Sequence, residues 1–316
     1  MDMQQQKRSW LNFLTLWVKG MMMGAADAVP GVSGGTVAFM TGIYQELIYS
    51  LNQCGPKALS VLINNGIKDA WRHINGPFLV TLLGGILFSL LTLSSLVLFL
   101  LETYPELLWS FFFGLIVAAI WSLIRHIEQW KATTVIAFVI GAVSAYLITS
   151  LTPSSIEPSY LYVFLSGMIA ICAMILPGIS GSFILLLLGM YSHILMAIKN
   201  LELMVLSIFA TGCVIGLLSF SRILNWMFSV HKITTLALLG GFMLGSLNKV
   251  WPWKHTLEST FNRHGKEIPL IQENILPDTF EAISGQPALL GYSISLMFLG
   301  IIIVMVLEKV ATKSAK

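Results

Sequence analysis

One helix-breaking sequence occurs twice, each time inside an apolar stretch of the chain. It reads Pro-Gly-Val-Ser-Gly at residues 30–34 and Pro-Gly-Ile-Ser-Gly at residues 177–181. Proline has no backbone N–H to donate and glycine destabilises a helix by its conformational freedom, so each copy is predicted to interrupt a helix. Lipid cannot satisfy the backbone groups that an interruption frees, so each break must be buried in protein or line a cavity. We therefore expect both breaks to be parts of one internal site.

The composition places the chain in the membrane class. Of its 316 residues, 56% are hydrophobic and only 10% are charged, against roughly 45–50% and 25% in soluble domains. This length allows about eight to ten membrane passes of roughly 20 residues each. The three cysteines, Cys54, Cys172 and Cys213, are odd in number and widely spaced, so no disulfide framework and no metal site are expected.

The hydropathy pattern divides the chain into two halves of the same design, residues 1–151 and 152–316. The first half is predicted to contain a re-entrant hairpin at 10–50, a cytoplasmic loop at 51–77 and spans near 78–101, 107–124 and 133–151. The second half is predicted to contain a hairpin at 160–197, spans near 203–221, 233–249 and 288–307, and an outside loop at 250–287. The run at 251–253, Trp-Pro-Trp, is expected to anchor one span at the membrane interface.

The two hairpins also align residue by residue. Pro177 minus Pro30 gives an offset of 147. The same offset pairs several further residues: Gly20 with Gly167, Gly31 with Gly178, Ser33 with Ser180, Gly34 with Gly181 and Gly42 with Gly189. The later spans align at a shorter offset, Gly85 with Gly212 and Gly114 with Gly240. We interpret the halves as internal repeats.

Basic residues predict how each half is oriented, because Lys and Arg concentrate in cytoplasmic loops. With both termini in the cytoplasm, thirteen of the eighteen Lys and Arg residues fall on the cytoplasmic side. The remaining five are predicted to lie outside: Lys199, Lys249, Lys254, Arg263 and Lys266. Three spans separate the two hairpins, so the second hairpin enters from the opposite face. The sequence thus predicts an all-α integral membrane protein with inverted-topology repeats.

Inverted repeats with broken helices are typical of secondary transporters, whose substrate sites lie between the repeats. The breaks offer hydroxyl and backbone N–H donors, and a helix N-terminus favours an anion by about 0.3–1 kcal/mol. The candidate substrate-binding residues are Pro30, Gly31, Ser33, Gly34, Gly35, Thr36, Pro177, Gly178, Ser180, Gly181 and Ser182. Alternatively, proline and glycine only kink the helices and give close helix contacts.

A few charged residues add to this candidate site. Arg125 and Arg222, like Lys249, lie at the ends of spans, where they can reach a phosphate or extend to the lipid surface. Asp27 precedes the first break and corresponds to Met174 in the second half. A carboxylate at membrane depth is costly, so Asp27 is a candidate for proton or sodium coupling, for capping the Gly34 and Gly35 amides, or for simple solvation. Glu46 is a second coupling candidate, with hydration as the alternative.

These residues carry a resemblance to a known family. The first break with its flanks, residues 26–36 and 42–47, resembles the signature of the bacterial polyprenyl-phosphate transporter family, once a domain of unknown function. The second break, residues 174–182 with 189–191, is similar as well, and so are residues 241–247 and 251–253. The resemblance covers nearly the whole chain.

The resemblance implies a lipid flippase of the bacterial inner membrane. Such a protein returns undecaprenyl phosphate from the outer to the cytoplasmic leaflet, where the carrier is used again in cell-envelope glycan synthesis. Such a protein is expected not to be an enzyme and to need no cofactor. Its expected partner is a membrane lipid and not a nucleic acid, and the resemblance does not define its oligomeric state. The chain has no Gly-x-x-x-x-Gly-Lys sequence, so an ion gradient or the lipid gradient is expected to drive transport.

Three other classes of function remain as alternatives. A transporter or channel for a small inorganic anion also uses inverted repeats and helix N-termini. Gly-x-Ser-Gly also surrounds the nucleophile of some intramembrane proteases, but a serine nucleophile needs a neighbouring base. All six histidines are predicted in loops or at helix ends. A membrane scaffold does not need two polar breaks inside its helices.

Overall fold

A computed structural model describes residues 9–29, 32–125, 127, 129–151, 157–261 and 267–314. Helices dominate these ranges. In the first half they are α1 (Trp10–Asp27), α2 (Gly34–Met40), α3 (Tyr44–Gln53), α4 (Pro56–Asn65), α5 (Ile67–His73), α6 (Gly76–Thr92), α7 (Ser94–Thr103), α8 (Pro105–Arg125) and α9 (Ala132–Ser150).

The second half begins with α10 (Tyr160–Ile175), α11 (Gly181–Leu187), α12 (Tyr191–Lys199), α13 (Leu203–Val230) and α14 (Lys232–Ser246). A 3-10 helix (Leu247–Val250) follows, then an antiparallel hairpin of β1 (Lys254–Phe261) and β2 (Glu267–Asn274), α15 (Pro277–Ser284) and α16 (Leu290–Ser314). The all-α class is confirmed, with this one hairpin as the exception in the described ranges.

Several of these helices are long and apolar enough to cross a membrane. Four pass by themselves: α8, α9, α13, and α14 together with the 3-10 helix. Two bent pairs raise the number to six in the described part of the chain, α5 with α6 at 68° and α11 with α12 at 108°. Two further apolar segments, α10 and the Leu290–Val306 part of α16, are shorter than 18 residues and are not included in this number.

Helix α9 shows how one helix serves two environments. Ile136, Ile140, Val143 and Leu147 recur at helical spacing and are all exposed. The opposite face carries Ala145, which is fully buried. An apolar stripe that is not covered by protein is what lipid contact requires, so the fold is that of a multi-pass membrane protein.

Glycines bring paired helices close together in the same way in both halves. In the first half, a Cβ on Gly20 of α1 would collide with backbone of Leu82 and Gly85 in α6. In the second half, a Cβ on Gly167 of α10 would meet the Phe209 carbonyl of α13 at 2.6 Å. Small residues allow such backbone contact between membrane helices. The α1–α6 pair and the α10–α13 pair are therefore equivalent.

A second set of glycine contacts joins the halves. A Cβ on Gly114 of α8 would collide with Met297 in α16, and a Cβ on Gly241 of α14 would collide with Phe138 in α9. Helices α16 and α9 take part in these two contacts at equivalent positions: Met297 follows Phe138 by 159 residues, and Gly300 follows Gly141 by the same 159 residues. The two contacts therefore have one register. Gly241, not Gly240, is thus the counterpart of Gly114. Gly240 faces the Leu123 side chain instead.

Three predicted segments differ in detail. The predicted loop 51–77 is largely helical, as α4 and α5, and the predicted span 78–101 is divided at Leu93 into α6 and α7. The predicted loop 250–287 contains the β-hairpin and α15, over a small apolar cluster of Trp253, Phe280 and Ala288.

Both indoles of the Trp251–Trp253 run donate hydrogen bonds inside the protein. The Trp251 indole donates to the Ile275 carbonyl at 2.8 Å, and the Trp253 indole to the Ala288 carbonyl at 2.9 Å. Trp253 is buried. The two rings therefore attach the hairpin segment to the membrane helices, a role that local hydropathy does not indicate.

Candidate functional site

The first break lies between α1 and α2, and its backbone donors are paired within the break. The Asp27 carboxylate accepts a hydrogen bond from the Gly34 N–H at 2.7 Å. Ser33 is the N-cap of α2, and its hydroxyl accepts from the Gly35 N–H at 3.1 Å. These bonds satisfy orphan donors of the first helical turn. Pro30 and Gly31 lie outside the described residues.

The second break, between α10 and α11, is built differently. Pro177 and Gly178 follow the end of α10, and Gly178 has a φ of +89°, a backbone conformation that favours glycine. Ser180 is the N-cap of α11 but makes no capping bond; its hydroxyl lies 2.8 Å from that of Ser182. Met174 stands where the first break has Asp27, so this break lacks the carboxylate cap.

The structure brings the two breaks into direct contact. The Ser33 hydroxyl donates to the Met174 and Leu176 carbonyls at 3.2 and 3.3 Å. In the other direction, the Gly178 N–H donates to the Thr36 hydroxyl at 2.8 Å. Ser33 and Thr36 are each only 1% exposed. Residues more than 140 positions apart thus form one polar contact inside an apolar protein, and we call it the break contact.

Gly35 makes the approach of the two breaks possible, and two further glycines allow close packing within each hairpin. A Cβ on Gly35 would lie 2.6 Å from the Ile175 carbonyl, and one on Gly181 would lie 2.7 Å from the Ala170 carbonyl. A Cβ on Gly34 would collide with the Asp27 carboxylate. Each of these three glycines is buried. The Gly-rich sequences therefore permit close packing as well as helix interruption, as the alternative interpretation expects.

The hairpins also turn at equivalent positions after the breaks. Gly42 precedes α3 with a φ of +74°, and Gly189 precedes α12 with a φ of +68°. In the second half this turn bends α12 by 108° from α11. The offset of 147 residues therefore relates backbone conformations as well as residue types.

The charged candidates are distributed over several places. Asp27 caps Gly34, one of the roles expected for it. Glu46 accepts from the Asn75 amide at 2.9 Å, at the start of α6. Arg125 is exposed at the C-terminal end of α8, and the Arg222 guanidinium lies against Gly55, between α3 and α4. Of the charged candidates, Asp27 is the one bonded within a break, although it is not part of the break contact itself.

The structure also shows a polar cavity that the sequence did not predict. It has a volume of about 230 Å³ and lies among the end of α9, α11, the 3-10 helix and the β-hairpin. Lys249 and Lys254 both line it. Burial, together with the nearby charge of Lys249, holds the pKa of Lys254 well below its usual range. The two lysines are only five residues apart, but the rest of the cavity wall comes from distant segments on α9, α11 and β2, so spacing alone does not reveal the cavity.

Comparison with known proteins identifies the family. A family model described as undecaprenyl phosphate translocase-like matches residues 23–268. The polyprenyl-phosphate transporter of Vibrio cholerae serotype O1 is 51% identical over 96% of this chain and 98% of its own length. The protein of the same name from Staphylococcus aureus is 32% identical over 79% of this chain and 88% of its own. No solved structure shows a significant match. The resemblance is confirmed, and the chain belongs to the undecaprenyl phosphate translocase-like family.

Proposed function

We propose that this protein is a secondary transporter that returns undecaprenyl phosphate from the outer to the cytoplasmic leaflet of the bacterial inner membrane. The family and the names of both relatives support a polyprenyl phosphate as substrate. The break contact is the observation that carries the proposal. It concentrates hydroxyl and amide donors inside an apolar protein, where a phosphate headgroup otherwise pays a large desolvation cost.

The break contact is closed in this conformation, and we propose that it is the gate. Ser33 and Gly178 each donate across it. Parting the breaks would free both donors, and each neutral bond lost costs only about 0.5–1.5 kcal/mol. Bonds from the same donors to a charged phosphate contribute about 1.5–3 kcal/mol each. Substrate binding would therefore favour the open state, because the ligand differs in affinity for the two states.

The two halves give this gate a way to open to each side. Equivalent glycine contacts relate the halves, and the distribution of basic residues favours opposite insertion of the two hairpins. Two such halves can exchange conformations and expose a central site alternately. In this proposal both termini are cytoplasmic and the polyprenyl tail stays in the bilayer throughout. The headgroup alone passes the break contact.

No catalytic step is part of the proposal. Ser33 donates to main-chain carbonyls and Ser180 contacts Ser182. Neither hydroxyl is bonded to a histidine among the residues that the structure describes, so neither serine is arranged as an activated nucleophile. Moving a lipid across the bilayer requires donors along the path and no covalent chemistry.

The decisive experiment measures the accessibility of the headgroup of labelled undecaprenyl phosphate in proteoliposomes, with and without imposed ion gradients. We expect the protein to move the headgroup between leaflets and to carry no measurable chloride or sulfate. Flux of either ion without movement of the lipid would contradict the proposal and favour the alternative, an ion-coupled transporter or channel for a small inorganic anion. Empty liposomes and liposomes with an unrelated membrane protein are the controls.

Replacing Asp27 should separate capping from ion coupling, which we propose as its second role. The Asn oxygen in Asp27→Asn can still accept from the Gly34 N–H, so we expect the cap to persist while the dependence of transport on proton or sodium gradients is lost. Asp27→Ala leaves the Gly34 N–H without its partner, and we expect stability to fall by about 0.5–2 kcal/mol. Thermal unfolding and gradient-dependent transport measure the two effects. Unchanged gradient dependence in Asp27→Asn would exclude Asp27 as the coupling group; Glu46→Gln then tests the second candidate.

A further inference from the structure

The cavity near the β-hairpin holds two cationic side chains close together. The Lys254 ammonium lies 4.2 Å from the centre of the Trp109 ring and donates to the Lys249 carbonyl at 2.6 Å. The Lys249 ammonium lies 4.5 Å from the centre of the Phe183 ring. Aromatic faces and one carbonyl hold both groups in place at the cavity wall.

These two charges have no carboxylate partner among the side chains that the structure describes. Each ammonium has three donors, and a carbonyl takes one of those of Lys254. Glu273 also lines the cavity, but it is exposed and forms no ion pair with either lysine. Two like charges that are partly buried and unpaired are unfavourable. An anion between them would reduce their repulsion and accept hydrogen bonds from the N–H donors that have no partner.

The cavity can accommodate such an anion. Its volume of about 230 Å³ far exceeds the roughly 10–15 Å³ that one water molecule needs on the same measure. The Ser150 hydroxyl, which accepts from the Asn248 amide at 3.4 Å, lines it beside the lysines. The Asn274 amide donates to the carbonyl and the side-chain oxygen of Asn248, both at 2.8 Å, and so fixes β2 over the 3-10 helix. The site is thus built from several elements.

One aromatic ring connects this cavity to the second break. Phe183, which lies under the Lys249 ammonium, is the residue after Ser182 on α11. Ser182 in turn contacts Ser180. A group bound at the two lysines therefore lies next to the helix that carries the hydroxyl pair of the second break. In the orientation proposed above, with both termini in the cytoplasm, both lysines lie on the outer side of the membrane.

We propose that Lys249 and Lys254 form a binding site for a phosphate monoester on the outer side, from which the headgroup passes to the second break. This inference rests on the proposed function for its biological ligand. The shared chemistry is a phosphate dianion, which a lipid headgroup or free phosphate can supply. Two ammonium groups match its charge. The ring of Phe183 lies between the Lys249 ammonium and the second break, next to Ser182 in the chain.

Direct binding to the purified full-length protein tests the site independently of transport. The probes are farnesyl phosphate, farnesol and inorganic phosphate, and native mass spectrometry of the detergent-solubilised protein gives the affinities. We expect farnesyl phosphate to bind and farnesol to bind at least tenfold more weakly. Lys249→Gln and Lys254→Gln should each weaken farnesyl phosphate binding about tenfold or more, the loss expected for one charge-assisted bond.

Two variants exclude trivial explanations. Lys249→Arg keeps the charge and should retain most of the affinity, whereas Lys199→Gln removes an exposed lysine outside the cavity and should change nothing. If inorganic phosphate competes with farnesyl phosphate, the site exists and free phosphate is one of its ligands. If inorganic phosphate does not compete, the site exists and its ligand is the lipid. Unchanged affinity in both glutamine variants, or equal binding of farnesol, would overturn the inference.

The outcomes also separate this inference from the proposed function. Wild-type protein that binds farnesyl phosphate through the lysines but moves no lipid would contradict the proposed transport and leave the site intact. Wild-type protein that moves lipid while Lys249→Gln and Lys254→Gln bind and transport normally would contradict the site and leave the transport function intact.

Discussion

A covalent link across the break contact is expected to stop lipid transport completely, and a reductant is expected to restore it. The contact joins residues of both halves through the Ser33 hydroxyl and the Met174 and Leu176 carbonyls. If headgroup passage requires the breaks to part, then holding them together leaves the Gly178 N–H bonded to the Thr36 hydroxyl, where it is not free for a phosphate.

The experiment pairs Ser33→Cys with Leu176→Cys and joins them with a short, cleavable thiol cross-linker. The native cysteines, Cys54, Cys172 and Cys213, are free thiols and are first replaced by alanine. Proteoliposomes are then assayed for movement of labelled undecaprenyl phosphate before cross-linking, after cross-linking and after reduction. The readout is the transport rate, and gel mobility after limited proteolysis between the halves measures the cross-linked fraction.

Single-cysteine variants treated with the same reagent are the controls, since they carry the modification without the link. Full transport by protein in which most molecules are cross-linked would contradict the gate. Loss of transport that a reductant does not reverse would indicate damage and not locking, and it would also count against the interpretation. The reversible loss alone fits a contact that opens during each cycle.

The sequence predicted the contact between the breaks through one argument. Backbone groups freed by Pro177 and Gly178 cannot face lipid, so the break had to find a protein partner, and the repeat offered the other break. The structure shows this partner directly, because Gly178 donates to Thr36. The offset that pairs Gly42 with Gly189 also extends to their backbone angles, because a turn with positive φ favours glycine in both copies.

Other features depended on tertiary packing that local patterns do not encode. The sequence left capping as one of three roles for Asp27, and the structure was needed to select it, because the bond to the Gly34 N–H depends on how α1 approaches α2. The cavity beside Lys249 and Lys254 likewise needs β2 to lie over the end of α9. In such cases a single polar residue gives no signal until its neighbours in space are known.

The choice between Gly240 and Gly241 illustrates the limit of alignment within a membrane protein. Both glycines lie in the same apolar helix, and a one-residue error leaves composition and hydropathy unchanged. The contacts decide, since Gly241 meets the α9 backbone whereas Gly240 meets a Leu123 side chain. Helix geometry separates neighbouring residues by about 100°, so one position changes the partner helix.

Leucine in place of the break glycines is expected to lower the transport rate at least about tenfold while the protein still inserts into the membrane. In Gly35→Leu the new side chain meets the Ile175 carbonyl, and in Gly181→Leu it meets the Ala170 carbonyl. Both neighbours are backbone atoms, which cannot move aside as a flexible side chain does. Overpacking of this kind typically costs 1–3 kcal/mol, and about 1.4 kcal/mol corresponds to a factor of ten.

The matched control is Gly291→Leu, because a Cβ at Gly291 meets nothing within 4 Å. All three variants add the same apolar side chain to a glycine that begins or precedes a helical stretch, so they differ mainly in the space available. Transport of labelled lipid is normalised to the amount of protein in the membrane. If Gly35→Leu transports as well as Gly291→Leu, the close approach of the two breaks is not needed for function, and if Gly181→Leu does so, the close packing of α11 on α10 is not needed either. A gate elsewhere in the molecule would then have to be sought, because a break contact that tolerates a leucine at Gly35 cannot be the step that the headgroup must pass.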